Sequence, residues 1–128
     1  MQKFEIGIVG EFESAHSLNG DFGPATRLHG HTYRVEVSAE ASEIDSTGTF
    51  YDIGRLRAEL ISVLEPLHYR NLNEVAELAG MNTTAEVVAR YIFKKLAPVL
   101  RTAGIEGLKV TVWESSSSFA SYRESFET

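Results

Sequence analysis

The chain has 128 residues, of which 43% are hydrophobic, and a formal net charge of −6 at pH 7. This length and apolar content predict one domain, residues 1–128, with a hydrophobic core of its own. The chain contains no cysteine, which excludes disulfides, thiolate metal sites and a cysteine nucleophile. The acidic balance and the lack of a lysine and arginine run argue against nucleic acid or an anionic membrane as partner. Small molecules are therefore the expected binding partners.

The beginning of the chain does not resemble a secretory signal. From Lys3 onward charged and apolar residues alternate, and no basic segment is followed by an apolar run. No apolar stretch reaches the length of a membrane span either. We therefore expect a cytoplasmic protein.

Two half-buried strands are predicted in the first third of the chain. The first runs into His16, with Gly7 and Gly10 either weakening it or marking a bulge. Its alternating apolar positions are Phe4, Ile6, Ile8 and Phe12. The second strand begins at His29 and ends near Ala41. A turn-rich loop, residues 19–24, lies between the two strands.

Three of the four histidines lie at the ends of these strands. His29 and His31 are two residues apart, so on a strand their side chains share one face. A hairpin return brings His16 alongside them. A catalytic zinc site typically uses three protein ligands and one open position. The pattern predicts zinc on His16, His29 and His31, with the 19–24 loop above it as a lid or substrate wall.

The periodicity becomes helical at Asp52, which is placed as an N-cap. The apolar stripe of this first helix is Ile53, Leu56, Leu60, Val63, Leu64 and Leu67. An irregular stretch follows, up to Met81. A second helix is predicted to open at Thr83, where Glu86 gives the spacing of a capping box, and Pro98 should kink or end it.

Two more strands close the chain, joined by a turn through the four serines at 115–118. On the first of them Val110, Val112 and Glu114 share a face. A carboxylate that continues an apolar face must be solvated, paired or directed at a ligand. The element order ββααββ predicts an α+β fold, in which a four-stranded antiparallel sheet carries two helices on one face.

Several segments, spread over nearly the whole chain, carry a family resemblance. They are Phe-Glu-Ser-Ala-His at 12–16, Leu-His-Gly-His-Thr-Tyr at 28–33, residues 48–52, Leu72-Asn73, residues 84–86 and Glu114. Together they resemble the 6-pyruvoyl-tetrahydropterin synthase family, whose bacterial branch is the 6-carboxy-tetrahydropterin synthase of the queuosine pathway. The resemblance implies the tunnelling fold, in which trimers close their sheets into a barrel and two trimers stack as a homohexamer with active sites between subunits.

The resemblance also implies roles for individual residues. Zinc is bound by the three histidines named above, Glu114 holds the amino-pyrimidine edge of a pterin, and Thr84 lines the pterin pocket. The family's catalytic base is missing, since Ala25 replaces the usual cysteine and Thr26 replaces the glutamate of some relatives.

The usual Asp-His pair is replaced as well, by His68 and Tyr69. His68 is the best local candidate for a base and Tyr69 is a possible proton donor. Asp21 and Glu13 are weaker alternatives.

Three functions follow from this combination. The first is a zinc-dependent lyase acting on a reduced pterin such as 7,8-dihydroneopterin triphosphate. The second is a sibling reaction, either aldolase-type side-chain cleavage or triphosphate elimination. The third is a pterin-binding protein without catalysis. The arginines that could meet phosphates form no motif; they are Arg27, Arg34, Arg55 and Arg70.

Overall fold

The computed structural model describes residues 2–126 and contains five strands and two α-helices. The strands are β1 (Phe4–His16), β2 (His29–Ala41), β3 (Arg70–Asn71), β4 (Gly107–Ser115) and β5 (Ser118–Ser125). The helices are α1 (Ile53–Leu64) and α2 (Ala85–Thr102). Neither of the two helices within residues 2–126 is long and apolar enough to cross a membrane.

All five strands form one sheet in the order β3-β1-β2-β4-β5. The four long strands pair antiparallel, as predicted. The expectation of a four-stranded sheet is nevertheless wrong, because β3 adds a fifth strand that pairs parallel with β1 at Ser14 and Ala15. Two residues are too few to show an alternating pattern, so the sequence gives no sign of β3.

The pairing of β1 with β2 is continuous from Phe4 opposite Ala41 to His16 opposite His29. Gly7 and Gly10 therefore mark no bulge here. At Gly10 a Cβ atom would lie 3.0 Å from Leu60 and 3.1 Å from Leu64. The missing side chain lets α1 approach the sheet closely.

The helices cover one face of the sheet, and the hydrophobic core lies between the helices and this face. Asp52 caps α1 as predicted, since its side chain accepts a hydrogen bond from the N–H of Gly54 at 2.9 Å. The buried stripe of α1 is Leu56, Leu60 and Leu64. Ile53, predicted to belong to it, is 46% exposed.

Helix α2 starts later than predicted, and Pro98 does not end it. Its N-cap is Thr84, one residue later than expected, and the helix continues through Pro98 to Thr102. Proline removes only one backbone N–H, and eight buried side chains of α2 support the helix around it. One of them, Phe93, packs edge-on against Tyr122 of β5 with ring centroids 4.9 Å apart.

Candidate functional site

The three predicted histidines form one cluster at the loop end of the β1–β2 hairpin. Because His16 is directly opposite His29, and His31 is two residues further along β2, the three rings converge. Their centroids lie 4.5 to 5.1 Å apart, and one ligand nitrogen from each residue falls within 4.8 Å of the other two. This arrangement could hold one metal ion.

Backbone carbonyls fix the orientation of two of the imidazoles. The Nδ1 atom of His16 lies 2.8 Å from the carbonyl oxygen of Thr83, and that of His29 lies 2.7 Å from the carbonyl oxygen of Arg27. A ring that donates from Nδ1 leaves its Nε2 lone pair free, which is the arrangement of many metal-ligating histidines.

Two nitrogens of the cluster are buried without a hydrogen-bond partner, His16 Nε2 and His31 Nε2. Buried polar atoms are normally satisfied, so two such atoms, in rings 5.1 Å apart, favour a shared ligand between them. Nitrogen donors at this spacing fit zinc, which accepts three imidazoles readily. The residues present therefore fit the metal predicted from the sequence.

The surroundings of His16 and His31 favour the uncharged form that binds a metal. Burial is the main cause that lowers the pKa of both imidazoles, and the neighbouring His29 lowers them further. The backbone hydrogen bond of Thr83 opposes this shift at His16, and the Glu114 carboxylate opposes it at His31.

Tyr33 and Phe12 form the base of the histidine cluster. Their rings stack with centroids 4.6 Å apart, and both are fully buried. The Tyr33 ring meets His31 edge-on at 5.2 Å, and its hydroxyl has no hydrogen-bond partner. Burial, then the charge of Glu114, raises the pKa of Tyr33 well above its ordinary value. Tyr33 follows His31 by two residues on β2, so the alternation of the strand places both side chains on one face.

Thr83 was not recognised as a site residue from the sequence. It is fully buried, and both its carbonyl and its hydroxyl lie within 3.3 Å of His16 Nδ1. Sixty-seven residues separate the two, so no local pattern indicates the contact. Thr83 fixes the His16 ring.

Glu114 lies at a β-bulge, where the pairing of β4 with β5 shifts register between Trp113 and Ser115. Bulges often redirect a side chain next to a binding site. Glu114 borders a cavity of about 250 Å³, which we call the Glu114 cavity. Its other walls include Leu18, Phe22, Thr84, Glu86 and Phe119.

Phe22 of the 19–24 loop lines this cavity, and the role of the loop as a lid or substrate wall stays a prediction. Asn19 and Asn82 exchange two hydrogen bonds of 2.9 Å, which fix the loop to the start of α2. Phe22 and Phe119 are 44% and 57% exposed, unusually high for side chains of this size. They give the cavity two aromatic walls.

Thr84, predicted to contact substrate, also caps α2. Its Oγ1 accepts a hydrogen bond from the N–H of Val87 at 3.2 Å, which leaves the hydroxyl proton free for the cavity. We expect Thr84→Ala to lower the free energy of unfolding by about 1 kcal/mol, the usual cost of a lost cap. Denaturant unfolding checks this, with Thr84→Ser, which keeps the oxygen, as the matched control. An unchanged midpoint in Thr84→Ala would show that the cap contributes nothing.

His68 and Tyr69 lie beside β1. His68 Nδ1 accepts a hydrogen bond of 3.0 Å from the N–H of Glu13, and Tyr69 N–H donates to the Glu13 carbonyl at 2.6 Å. With Nδ1 occupied as an acceptor, the His68 proton is on Nε2, and the ring has no free lone pair for a base. Tyr69 borders a shallow cavity of about 550 Å³, the Tyr69 cavity, together with His31. His68 does not line it.

The remaining sequence candidates are spread out. Ala25 and Thr26 lie in the short helical turn Gly23–Thr26, and Asp21 is exposed in the loop before it. Among the arginines, Arg70 borders the Tyr69 cavity. Arg34 pairs with Glu36 and Arg55 with Glu59, so both already have a carboxylate partner.

Comparisons with known proteins agree with this architecture. The model of the 6-pyruvoyl tetrahydropterin synthase family matches residues 5–125. A 6-pyruvoyl tetrahydrobiopterin synthase of Dictyostelium discoideum is 32% identical over 124 residues, covering 88% of this chain and 90% of the relative. A 6-carboxy-5,6,7,8-tetrahydropterin synthase of Synechocystis is 34% identical over 117 residues, covering 87% of this chain and 86% of the relative.

Among solved structures, the 6-pyruvoyl tetrahydropterin synthase of Caenorhabditis elegans superimposes with a TM-score of 0.84 at 30% identity, covering 98% of both chains. The corresponding protein of Plasmodium vivax has a TM-score of 0.82 at 19% identity, covering 98% of this chain and all of its own. At that identity the likeness concerns the fold alone.

Proposed function

The chain belongs to the 6-pyruvoyl tetrahydropterin synthase family, and from that premise we propose that it is a zinc-dependent lyase. Its substrate is a reduced pterin such as 7,8-dihydroneopterin triphosphate. The observation that supports this proposal most strongly is that His16 Nε2 and His31 Nε2 are buried without hydrogen-bond partners. The negative charge of Glu114 also acts on both imidazoles and raises their pKa values. The proposal thus combines a metal site with a neighbouring acid suited to a pterin.

In this proposal His16, His29 and His31 hold the zinc. Zinc supplies Lewis-acid polarisation of the hydroxyl groups on the pterin side chain. Thr83 and the Arg27 carbonyl keep two of the rings in the ligand-competent tautomer. Tyr33 fills the space beneath the rings and excludes water from that side.

The Glu114 cavity is proposed to take the pterin ring. A carboxylate can accept two parallel hydrogen bonds from the amino and ring N–H groups of a pterin. Phe22 and Phe119 offer flat apolar walls for the ring, and the Thr84 hydroxyl can donate to it.

The assembly is proposed to be a homohexamer of two stacked trimers. Within the described residues, β5 has no strand on its outer side, and β3 covers only Ser14 and Ala15 of β1. Such open edges are a liability that closure of a trimeric barrel removes. Active sites would then lie between subunits and draw walls from a neighbour.

A pterin-binding protein without catalysis is the second candidate. It is favoured by one observation, namely that Ala25 replaces the family's usual cysteine in a chain without any cysteine. The sibling reactions, side-chain cleavage and triphosphate elimination, remain alternatives within the lyase proposal.

Incubation of zinc-loaded protein with dihydroneopterin and with its triphosphate tests the proposal. We expect a zinc-dependent product, detected by mass spectrometry and lost when the zinc is chelated. The mass distinguishes side-chain cleavage from triphosphate loss. Tight pterin binding without any product would favour the binding protein instead.

A further inference from the structure

A further pocket, of about 350 Å³, lies between α2 and the short helical turn Ala76–Leu78, and we call it the α2 pocket. None of its lining residues borders the Glu114 cavity or the Tyr69 cavity. On α2 they have the spacing of one helix face, and none belongs to the buried stripe that packs on the sheet. These helix residues are Val87, Arg90, Tyr91, Lys94 and Lys95.

Three apolar side chains contribute to the walls of the α2 pocket. Leu78 is buried and Val87 is half-buried, whereas Met81 is 46% exposed. A methionine at such a place offers a flexible and polarisable contact to an apolar group. The volume falls within the range of small-molecule sites, about 300–1,000 Å³. The pocket can therefore take the apolar body of a small molecule.

The α2 pocket also has a surplus of positive charge. The cations that line it are Arg90, Lys94 and Lys95, against the carboxylate of Glu77. Lys95 Nζ lies 2.6 Å from Glu77 Oε2, so these two charges cancel. Within residues 2–126, neither Arg90 nor Lys94 forms an ion pair. Two uncompensated cations thus lie in one pocket of a chain whose net charge is −6.

The spacing of these two cations favours a doubly charged anion. Arg90 and Lys94 are four residues apart on α2, a distance at which like charges repel each other. A phosphate monoester carries about −1.5 to −2 charges at pH 7, whereas a carboxylate carries one. The guanidinium group binds phosphate oxygens through two parallel hydrogen bonds, and the ammonium group adds a point charge.

Tyr91 can add a neutral donor to this pair of cations. Burial, followed by the charge of Glu77, raises the pKa of Tyr91 above its ordinary value, although Lys95 opposes the shift. The hydroxyl therefore keeps its proton at neutral pH and can donate it to an anion.

We propose that the α2 pocket is a binding site for a small phosphate monoester with an apolar body. Arg90 and Lys94 hold the phosphate. The apolar body lies against Leu78, Met81 and Val87. This site is separate from the proposed zinc and pterin sites, and it does not depend on the lyase function.

Phenyl phosphate is the probe for the ligand chemistry. We expect it to bind the zinc-loaded protein about ten-fold more tightly than inorganic phosphate, which lacks the apolar body. It should also bind more tightly than benzoate, which lacks the second charge. Titration calorimetry at low ionic strength measures all three affinities, and added salt should weaken the binding of phenyl phosphate. Equal affinities for phenyl phosphate and inorganic phosphate would contradict the apolar part of the site.

Three variants locate the bound phosphate. We expect Arg90→Gln and Lys94→Gln each to weaken phenyl phosphate binding about ten-fold, as for the loss of one charge-assisted hydrogen bond. Glu77→Gln should tighten it a few-fold, because the competing acid is removed and Lys95 becomes free. The matched control is Arg57→Gln, which removes an exposed arginine of α1 and should bind like the wild type. Thermal midpoints of all four variants should stay near the wild-type value.

A phosphate could instead bind at the zinc, and His29→Ala separates the two sites. We expect this variant to bind phenyl phosphate as tightly as the wild type does. Binding that is lost in His29→Ala but kept in Arg90→Gln and Lys94→Gln would place the phosphate at the metal and overturn the proposal. No saturable binding by the wild type would overturn it too, and would leave the lyase proposal untouched. Failure of the protein to turn over a pterin, in contrast, has no bearing on the α2 pocket.

Discussion

Replacing His29 by alanine is expected to reduce bound zinc from about one ion per chain to background, because a site of this kind depends on three protein ligands. His29 is only half-buried, and its Nδ1 contact is with a carbonyl two residues away. The fold should therefore survive the substitution. Elemental analysis after zinc loading and desalting measures the change directly.

The control for this prediction is His68→Ala, since His68 is the one histidine outside the cluster. It should keep its zinc. Thermal unfolding gives a second readout: a ligand that binds only the folded state raises the midpoint, so added zinc should stabilise the wild type and His68→Ala but not His29→Ala. Full zinc content in His29→Ala would remove the basis of the metal assignment.

Glu114→Gln is expected to weaken pterin binding by about ten-fold or more, which corresponds to the roughly 1.5–3 kcal/mol of a hydrogen bond to a charged group. Glutamine has nearly the same shape, but its amide has one acceptor oxygen and one donor nitrogen. It cannot accept two parallel N–H donors. Titration calorimetry with a non-reacting pterin measures the affinity without interference from turnover.

Glu36→Gln provides the comparison for this variant. Glu36 is a carboxylate on β2 that already pairs with Arg34 at 3.3 Å and lies on the sheet face opposite the histidines. Its replacement should leave pterin affinity unchanged. Equal affinities in Glu114→Gln and the wild type would make Glu114 a structural acid.

The histidine cluster could be predicted from the sequence because it follows from short-range rules. Alternation along β2 places His29 and His31 on one face, and a hairpin return places His16 beside them. The capping role of Asp52 and the buried stripe of α1 follow from equally local patterns.

What the sequence did not reveal depends on contacts between distant segments. Thr83 reaches His16 across 67 residues, and His68 reaches Glu13 across 55. The bulge at Glu114 depends on the register of β5, which no pattern within β4 determines. The start of α2 was misplaced by one residue because Thr83 and Thr84 are both good capping residues, and tertiary contacts with His16 decide between them.

The smallest strand has a consequence for motion. The two residues of β3 hold Tyr69 next to Glu13, and their partners on β1, Ser14 and Ala15, also pair with β2 at His31 and Gly30. Short edge strands with few hydrogen bonds belong to the parts of a protein that open most easily. Opening of β3 would release His68 and Tyr69 from the backbone of Glu13, while the pairing of β1 with β2 keeps the three imidazoles together. The segment beside β1 can thus loosen while the histidine cluster stays formed.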